Sequence, residues 1–318
     1  MRNHKSLVLS VVAASLVAAA PATAASACNG STKLCTKTLD KVVLPGTHNA
    51  MSNKQDGWGI PNQGVNIASQ LRRGIRGMLI DTHYGKADTI DFLGKPRTII
   101  RTVTESTAGR QPYLCHVNCE SGATPLSTGL KVVADFLKAN PREVMVFVNE
   151  SYITPADFMA AVTSSGLSKY VYKGSTSTWP TLSKMISTNQ RVVLLSEGST
   201  NNTVGYFPAY AGIVQETPYS FLTSNLLTAT SSLAASCATN RGGSTGSLFL
   251  MNHFITPTVT ATYAADLVST AGQVNGKTTI VNRARKCQTL RGKLPTLIAV
   301  DQVQLGDVVG AAKSLNGV

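Results

Sequence analysis

Residues 144–150 read Val-Met-Val-Phe-Val-Asn-Glu, an apolar run that ends on two polar residues. Seven further segments share this pattern of apolar and β-branched residues followed directly by polar ones. Near-continuous apolar runs of this length are typical of strands buried on both faces of a parallel sheet. The predicted strands are Val42–Leu44, Gly77–Ile80, Tyr113–Cys115, Val144–Val148, Arg191–Leu195, Gly212–Val214, Leu248–Met251 and Thr296–Val300.

Helical patterns lie between most of these strands, and the alternation predicts an α/β fold. We expect residues 28–318 to form a single domain, a distorted (β/α)8 TIM barrel. Residues 198–211 look like a loop, so the barrel should be irregular between its fifth and sixth strands. A doubly wound open sheet is the alternative, but no glycine-rich phosphate loop follows the first strand. The predicted helices are Ser127–Ala139, Pro155–Ser164, Pro180–Thr188 and Thr258–Ser269.

The N-terminus has the order of a secretory signal, with Arg2 and Lys5 before an apolar run and then small residues up to Cys28. We therefore expect residues 1–27 to be a signal peptide and the protein to be secreted. Its removal takes away two basic residues and no acidic ones, so the net charge falls from +13 to +11. No later apolar run reaches the length of a transmembrane helix, and a charged fraction of 14% argues against disorder.

Six cysteines in an exported chain indicate disulfide bonds. Cys28/Cys35 and Cys115/Cys119 are close in sequence, which leaves Cys237/Cys287 as a long-range pair, although other pairings stay open. A zinc site at Cys115 and Cys119 would need a second pair at ligand spacing, and the sequence contains none.

Polar residues at the strand ends carry the predicted chemistry, because a barrel of this kind builds its active site at the carboxyl ends of its strands. His48 and His116 end the first and third predicted strands and could act as general base and general acid. The last strand neighbours the first in a closed barrel, so Asp301 should lie beside His48 and orient its ring. A structural ion pair with an arginine is the alternative for Asp301. His83 and His253 also fall at strand ends.

Asn49, Asp81 and Glu150 follow the first, second and fourth predicted strands and offer oxygen ligands. Oxygen ligands without sulfur suit Ca²⁺ or Mg²⁺ better than zinc. A cation with two histidines fits phosphodiester cleavage, because the cation neutralises the charge that develops on phosphorus. A glycosidase fits less well, since its chemistry needs two facing acids.

Seven blocks of the sequence, in the family's order, resemble the phosphatidylinositol-specific phospholipase C X-domain family. The last three look like its secreted bacterial and fungal branch. The blocks are LPGTHNAM (44–51), QLRRGIRGMLID (70–81), LCHVNCESGATPL (114–126), FLKANPREV with NESY (136–152), WPTL (179–182), LFLMNHF (248–254) and IAVD (298–301).

The resemblance implies an enzyme that cleaves phosphatidylinositol on the glycerol side of its phosphodiester. The inositol 2-hydroxyl attacks phosphorus, which releases diacylglycerol and forms a cyclic inositol phosphate that can be hydrolysed further. His48 matches the family's general base, and His116 matches the histidine that assists the leaving group. Asp301 matches the carboxylate that orients the first histidine.

The resemblance also implies Ca²⁺ as the cofactor, because Asn49, Asp81 and Glu150 match the pattern of the calcium-dependent members. Leu79 departs from that pattern, since many of those members carry a glutamate ligand there. The insertion Lys86–Arg110 is a second departure, and we expect it to form a lid or a loop that selects the headgroup.

We expect a monomer that binds its phospholipid substrate at an anionic membrane surface, helped by its positive charge. The loops Met51–Ile60, with Trp58, and Tyr206–Tyr210 are the expected contacts. Nucleic-acid binding is not expected, because Lys and Arg are dispersed and no known module is present. One alternative is a related phosphodiesterase acting on glycerophosphodiesters or sphingolipids. Another is a barrel that binds headgroups or glycans without catalysis.

Overall fold

A computed structural model describes residues 26–198 and 203–318. The predicted signal peptide, residues 1–27, lies outside these residues except for its last two. Within the described residues, eleven strands form one sheet. They are β1 (Leu44–Thr47), β2 (Gly77–Phe92), β3 (Lys95–Val103), β4 (Gln111–Leu114), β5 (Thr124–Pro125), β6 (Met145–Ser151), β7 (Val192–Ser196), β8 (Tyr206–Pro208), β9 (Val214–Glu216), β10 (Leu248–Asn252) and β11 (Leu297–Val300).

All four predicted helices are present, one with the predicted bounds and three with shifted bounds, and five further α-helices in the described residues were not predicted. The helix predicted over Pro155–Ser164 has those bounds, and Thr154 caps it by accepting a hydrogen bond from the Asp157 N–H. The helix predicted from Thr258 begins only at Tyr263, after a threonine-rich stretch whose β-branched side chains disfavour helix. The α-helices are α1 (Ile67–Arg72), α2 (Leu126–Ala139), α3 (Pro155–Ser164), α4 (Leu182–Ser187), α5 (Asn225–Thr228), α6 (Leu233–Ser236), α7 (Tyr263–Val274), α8 (Lys277–Arg291) and α9 (Val308–Asn316).

Eight of the strands curl into a barrel in the order β8-β7-β6-β2-β1-β11-β10-β9. Every neighbouring pair along this path is parallel, so the carboxyl ends of the strands share one edge. Among the described residues no ladder joins β8 to β9, and the barrel therefore has an open seam there. The predicted distorted α/β barrel is confirmed.

Two predictions about individual strands were wrong. The segment Tyr113–Cys115 is not a barrel strand, because β4 pairs antiparallel with the outer part of β2 while β6 pairs with the inner part. The eighth barrel strand is instead β8, from the region predicted as a loop, which pairs with β7. The cause lies in the length of β2, which has 16 residues and continues past the sheet edge. An apolar run indicates a strand but not the direction of its partner.

The insertion Lys86–Arg110 forms most of a projecting β-ribbon. Residues 84–92 of β2 pair antiparallel with residues 95–103 of β3. We call residues 84–103 the β2–β3 ribbon. It continues β2 beyond the carboxyl edge of the barrel, and its tip residues Phe92 and Leu93 are 52% and 88% exposed.

Alternate residues of the barrel strands face two separate cores. Leu79, Val146 and Val148 join a cluster that fills the barrel interior, and Leu39, from the segment before β1, belongs to the same cluster. Phe147, which lies between the two valines, instead joins the cluster that packs the sheet against α2 and α9. Both faces of the strands are thus buried, as the near-continuous apolar runs require.

Three disulfide bonds link Cys28 to Cys35, Cys115 to Cys119 and Cys237 to Cys287, which confirms the predicted pairs. The second closes a short loop beside His116. Within residues 26–198 and 203–318, none of the helices has the length and apolar character needed to cross a bilayer.

Candidate active site

A cavity of about 150 Å³ opens at the carboxyl edge of the barrel strands. Four of the six predicted site residues lie in its walls: His48, Asn49, Asp81 and Glu150. We call it the polar cavity. The other two, Asp301 and His116, contact residues of this wall directly. All six are therefore brought to one end of the barrel.

His48 and Asp301 form a bonded pair. Because β1 and β11 are parallel neighbours with Thr47 opposite Val300, the residues that follow them emerge side by side. His48 Nδ1 lies 2.9 Å from Asp301 Oδ1. The ring of Phe254 stacks on His48 with centroids 3.7 Å apart, which fixes the plane of the imidazole. A ring held at Nδ1 by a carboxylate keeps Nε2 for proton transfer.

Two amides in the loop before α1 support this pair, and neither was predicted from the sequence. Asn62 Nδ2 donates to Asp301 Oδ2 at 3.2 Å. Gln63 Nε2 donates to the carbonyl oxygens of His48 and Val300 at 2.7 and 2.9 Å. No pattern in the sequence marks these amides, since their role depends on a loop folding back over the strand ends.

His116 forms a second bonded pair, with Asp81. Their contact joins His116 Nδ1 to Asp81 Oδ2 at 2.8 Å. Burial alone would lower the pKa of His116, but the hydrogen bond and charge of Asp81, with the charges of Asp301 and Glu150, raise it. On the other side of the ring, Nε2 lies 3.3 Å from Asn49 Nδ2. Asn49 therefore stands between the two histidine–carboxylate pairs.

The donor set predicted for calcium meets in the polar cavity, and its oxygen chemistry fits a hard cation. Part of it is already engaged: Asp81 accepts from His116, and Glu150 accepts from the hydroxyl of Tyr152. Within the described residues, no three His, Cys, Asp or Glu side chains come close enough to hold one ion together. A bound cation would therefore depend on Asn49 and on water or substrate oxygens as further ligands.

An ion-pair network that was not predicted from the sequence closes one wall of the polar cavity at the open seam. Arg241 donates to Glu197 after β7 and to Glu216 in β9, with contacts of 2.5 Å to each. Its guanidinium also lies 4.3 Å from the ring centroid of Tyr210. Arg241 thus bridges two strands that share no ladder. It lies in an irregular loop, where no strand-end pattern could have marked it.

Two further histidines expected at the rim are buried and do not line the polar cavity. His253 is fully buried, with Nε2 donating to Val274 O and Nδ1 accepting from Arg283. His83 is 7% exposed and stacks on Tyr152 with centroids 4.3 Å apart. Strand-end position alone does not decide which way a side chain turns, because neighbouring residues of a strand point to opposite faces.

The loops expected to touch the membrane bury several of their apolar side chains, although Ile60 is 45% exposed. Trp58 and Tyr206 are 7% and 1% exposed, and Met51 is buried as well. Trp58 packs against the backbone of the loop after His116, and the Tyr206 hydroxyl accepts a hydrogen bond from Asn149 Nδ2 in the interior of the fold. Exposed apolar side chains at this end of the molecule include those of the ribbon tip, Val117 and Val259.

Known proteins resemble this chain in sequence and in fold. A family model described as PI-PLC X 1 matches residues 95–316, a range that includes His116, Glu150 and Asp301. PI-PLC X domain-containing protein 1 of Arthroderma benhamiae is 24% identical over 322 residues, covering 95% of this chain and 93% of that protein. A PI-PLC X domain-containing protein of Arabidopsis thaliana is 26% identical over 168 residues, covering 47% of this chain and 34% of that protein.

Solved structures give the same fold. The phosphatidylinositol-specific phospholipase C from Listeria monocytogenes superposes with a TM-score of 0.52 at 18% identity, over 89% of this chain and 94% of that one. A variant of the corresponding Staphylococcus aureus enzyme gives 0.56 at 15% identity, over 90% and 94%. The chain has the barrel of PI-PLC-like phosphodiesterases. It belongs to the PI-PLC X family.

Proposed function

We propose that the protein is a secreted phospholipase C-like phosphodiesterase that cleaves phosphatidylinositol to diacylglycerol and a cyclic inositol phosphate. The observation that carries this proposal is the meeting of two histidine–carboxylate pairs, His48–Asp301 and His116–Asp81, at one barrel mouth. Transesterification of a phosphodiester needs one group that removes a proton and another that supplies one. A module that only binds headgroups or glycans needs neither.

In this mechanism His48 Nε2 takes the proton of the inositol hydroxyl, and that oxygen forms a bond to phosphorus. The bond between phosphorus and the glycerol oxygen breaks, and His116 Nε2 gives its proton to the departing oxygen. Protonated His116 has no lone pair at Nε2, so its contact with the Asn49 amide must open before that proton faces the substrate. Asp301 stabilises the imidazolium that forms on His48.

Calcium assistance is the second part of the proposal. Asn49, Asp81 and Glu150 would hold the ion in the polar cavity with the help of water or substrate oxygens. When bound, Ca²⁺ would neutralise the charge that develops on the phosphoryl oxygens.

The proposed setting is the outer surface of an anionic membrane, after export as a monomer. Three disulfide bonds are consistent with export to an oxidising compartment. The β2–β3 ribbon is the proposed membrane contact in place of the loops first expected. Its tip is apolar, and Lys95 and Arg97 beside the tip suit anionic headgroups.

The decisive experiment follows products of phosphatidylinositol by phosphorus NMR. A cyclic inositol phosphate signal is expected, and His48→Ala and His116→Ala should each lower the rate by about 100-fold or more. Circular dichroism melting of both variants checks that they fold. Parallel incubations with glycerophosphoinositol and sphingomyelin test the related phosphodiesterases. Turnover of either without turnover of phosphatidylinositol would reassign the substrate. If no diester is turned over, the protein is not an enzyme of this class and only binds headgroups or glycans.

A further inference from the structure

A second cavity, of about 230 Å³, is lined by His116, which does not line the polar cavity. The larger side chains that line this second cavity are apolar or aromatic: Trp58, Ile60, Val117, Val259 and Tyr263. In the described part of the chain no Asp, Glu, Lys or Arg lines it. We call it the apolar cavity. It contrasts with the polar cavity, whose walls carry Asp81, Glu150, Glu197 and Arg241.

One wall of the apolar cavity is rigidly built. A Cβ placed on Gly122 would lie 2.3 Å from the indole of Trp58, so the ring rests directly on the backbone at a glycine. The Gly59 N–H donates to Ser121 O at 2.7 Å and ties the two loops together. Trp58 is consequently a fixed surface of this cavity.

A second wall contains a strained residue. Val117 directly follows His116 and has φ +61°, a backbone conformation that β-branched residues rarely adopt. The Cys115–Cys119 disulfide and a bond of 2.6 Å from Asn118 N–H to His116 O hold the loop in place. The result is an apolar side chain that is 70% exposed beside a candidate catalytic histidine. Strain of this kind persists where the surrounding structure enforces it, and it clusters at functional sites.

The two cavities divide the space around His116 by polarity. Asn49 contacts His116 Nε2 and lines the polar cavity, whereas His116 itself lines the apolar one. A phosphodiester held at this ring would have one alcohol in a polar site and the other in an apolar site. We propose that the apolar cavity binds part of the diacylglycerol leaving group, namely the segment of its acyl chains that lies nearest to the glycerol. This inference rests on the proposed function and adds a lipid-binding site to it.

The test compares two substrates with the same headgroup and phosphodiester. Dihexanoyl phosphatidylinositol, kept below its micelle concentration, carries acyl chains but requires no membrane. Glycerophosphoinositol lacks the chains. The selectivity, defined as kcat/KM for the first divided by kcat/KM for the second, should exceed one in the wild type. Each methylene transferred into an apolar site adds about fourfold.

Two variants probe the walls, and one serves as a control. Val117→Asn removes the apolar surface while placing an asparagine where positive φ is tolerated, so its folding should not suffer. Ile60→Ser shortens the opposite wall. Each should lower the selectivity by about tenfold. Leu290→Ser, an exposed site on α8 outside both cavities, should leave the selectivity as it is. Unchanged selectivity in both wall variants would overturn the proposal while leaving the proposed function intact.

A binding measurement separates the two proposals further. The chain contains two tryptophans, so a Trp179→Phe background isolates the fluorescence of Trp58. A short-chain diacylglycerol brominated on its acyl chains should quench this emission at the concentrations at which it inhibits cleavage. Inhibition without quenching would place the acyl chains elsewhere. A wild type that cleaves neither inositol diester would overturn the proposed function, and the lipid-binding role with it.

Discussion

The carboxylate of Asp81 lies 2.8 Å from Nδ1 of His116. A residue that the sequence assigns to calcium therefore also holds a candidate catalytic ring. The same relation exists between Asp301 and His48 at 2.9 Å. The site thus contains two similar pairs, and only one of them shares its carboxylate with the proposed metal ligands.

Replacement of Asp81 by asparagine should lower phosphatidylinositol cleavage by about 10–100-fold, as loss of a ring-orienting carboxylate typically does. An amide offers a weaker acceptor to Nδ1 and no charge to stabilise protonated His116. Initial rates with monomeric dihexanoyl phosphatidylinositol measure the effect. Asp135→Asn, an exposed carboxylate on α2, is the matched control. A rate equal to that of the control would show that Asp81 has no role in the reaction.

Calcium should raise the melting temperature of the protein, because a ligand that binds only the folded state stabilises it. Glu150→Gln should reduce this shift without disturbing the Asp81–His116 contact, whereas Asp81→Asn should reduce both the shift and the rate. Differential scanning calorimetry with millimolar Ca²⁺ or with EDTA gives the shift. If calcium does not change the melting temperature and EDTA does not change the rate, Asp81 is not a calcium ligand and acts only by orienting His116.

The β2–β3 ribbon should carry the protein to anionic vesicles. Leu93→Ser and Phe92→Ser should each weaken binding to vesicles containing phosphatidylinositol by about tenfold, because each removes an apolar side chain that could enter the lipid. Co-sedimentation at low ionic strength measures the bound fraction, with Leu290→Ser as the control. Binding as strong as that of the control in both tip variants would mean that another surface contacts the membrane.

The buried pair of His253 and Arg283 should make the fold sensitive to acid. Burial, and then the charge of Arg283, lower the pKa of His253 to about 3 from its ordinary 6.5. The folded state thus keeps the ring neutral while the unfolded state protonates it. This contribution to stability is complete above pH 6.5 and is lost as the pH falls from there towards 3.

His253→Gln removes this titration and keeps a donor for Val274 O. Between pH 7 and pH 4, the free energy of unfolding of the variant should fall less steeply than that of the wild type, by up to about 1.4 kcal/mol per pH unit. Urea denaturation at several pH values measures both slopes. Parallel slopes for the two proteins would show that His253 is not the responsible group.

Local sequence predicted those parts of the fold that depend on short-range pattern. The helix Pro155–Ser164 carries its own cap and start signal, so its bounds follow from a few neighbouring residues. The strands of the barrel are continuous apolar runs, and their polar ends identify the active edge. The placement of Asp301 beside His48 required only that the last and first strands be neighbours.

Tertiary structure decided how the strands pair, because the pairing of two distant segments cannot be predicted from the sequence of either segment alone. The apolar run at residues 113–115 could join the barrel or turn back along β2, and the unpaired outer edge of β2 selects the second. That choice brings His116 against Asp81 and places an apolar cavity beside it. The sequence by itself determined which residues could do chemistry at the barrel mouth. Only the packing of the ribbon and loops determined which of them touch.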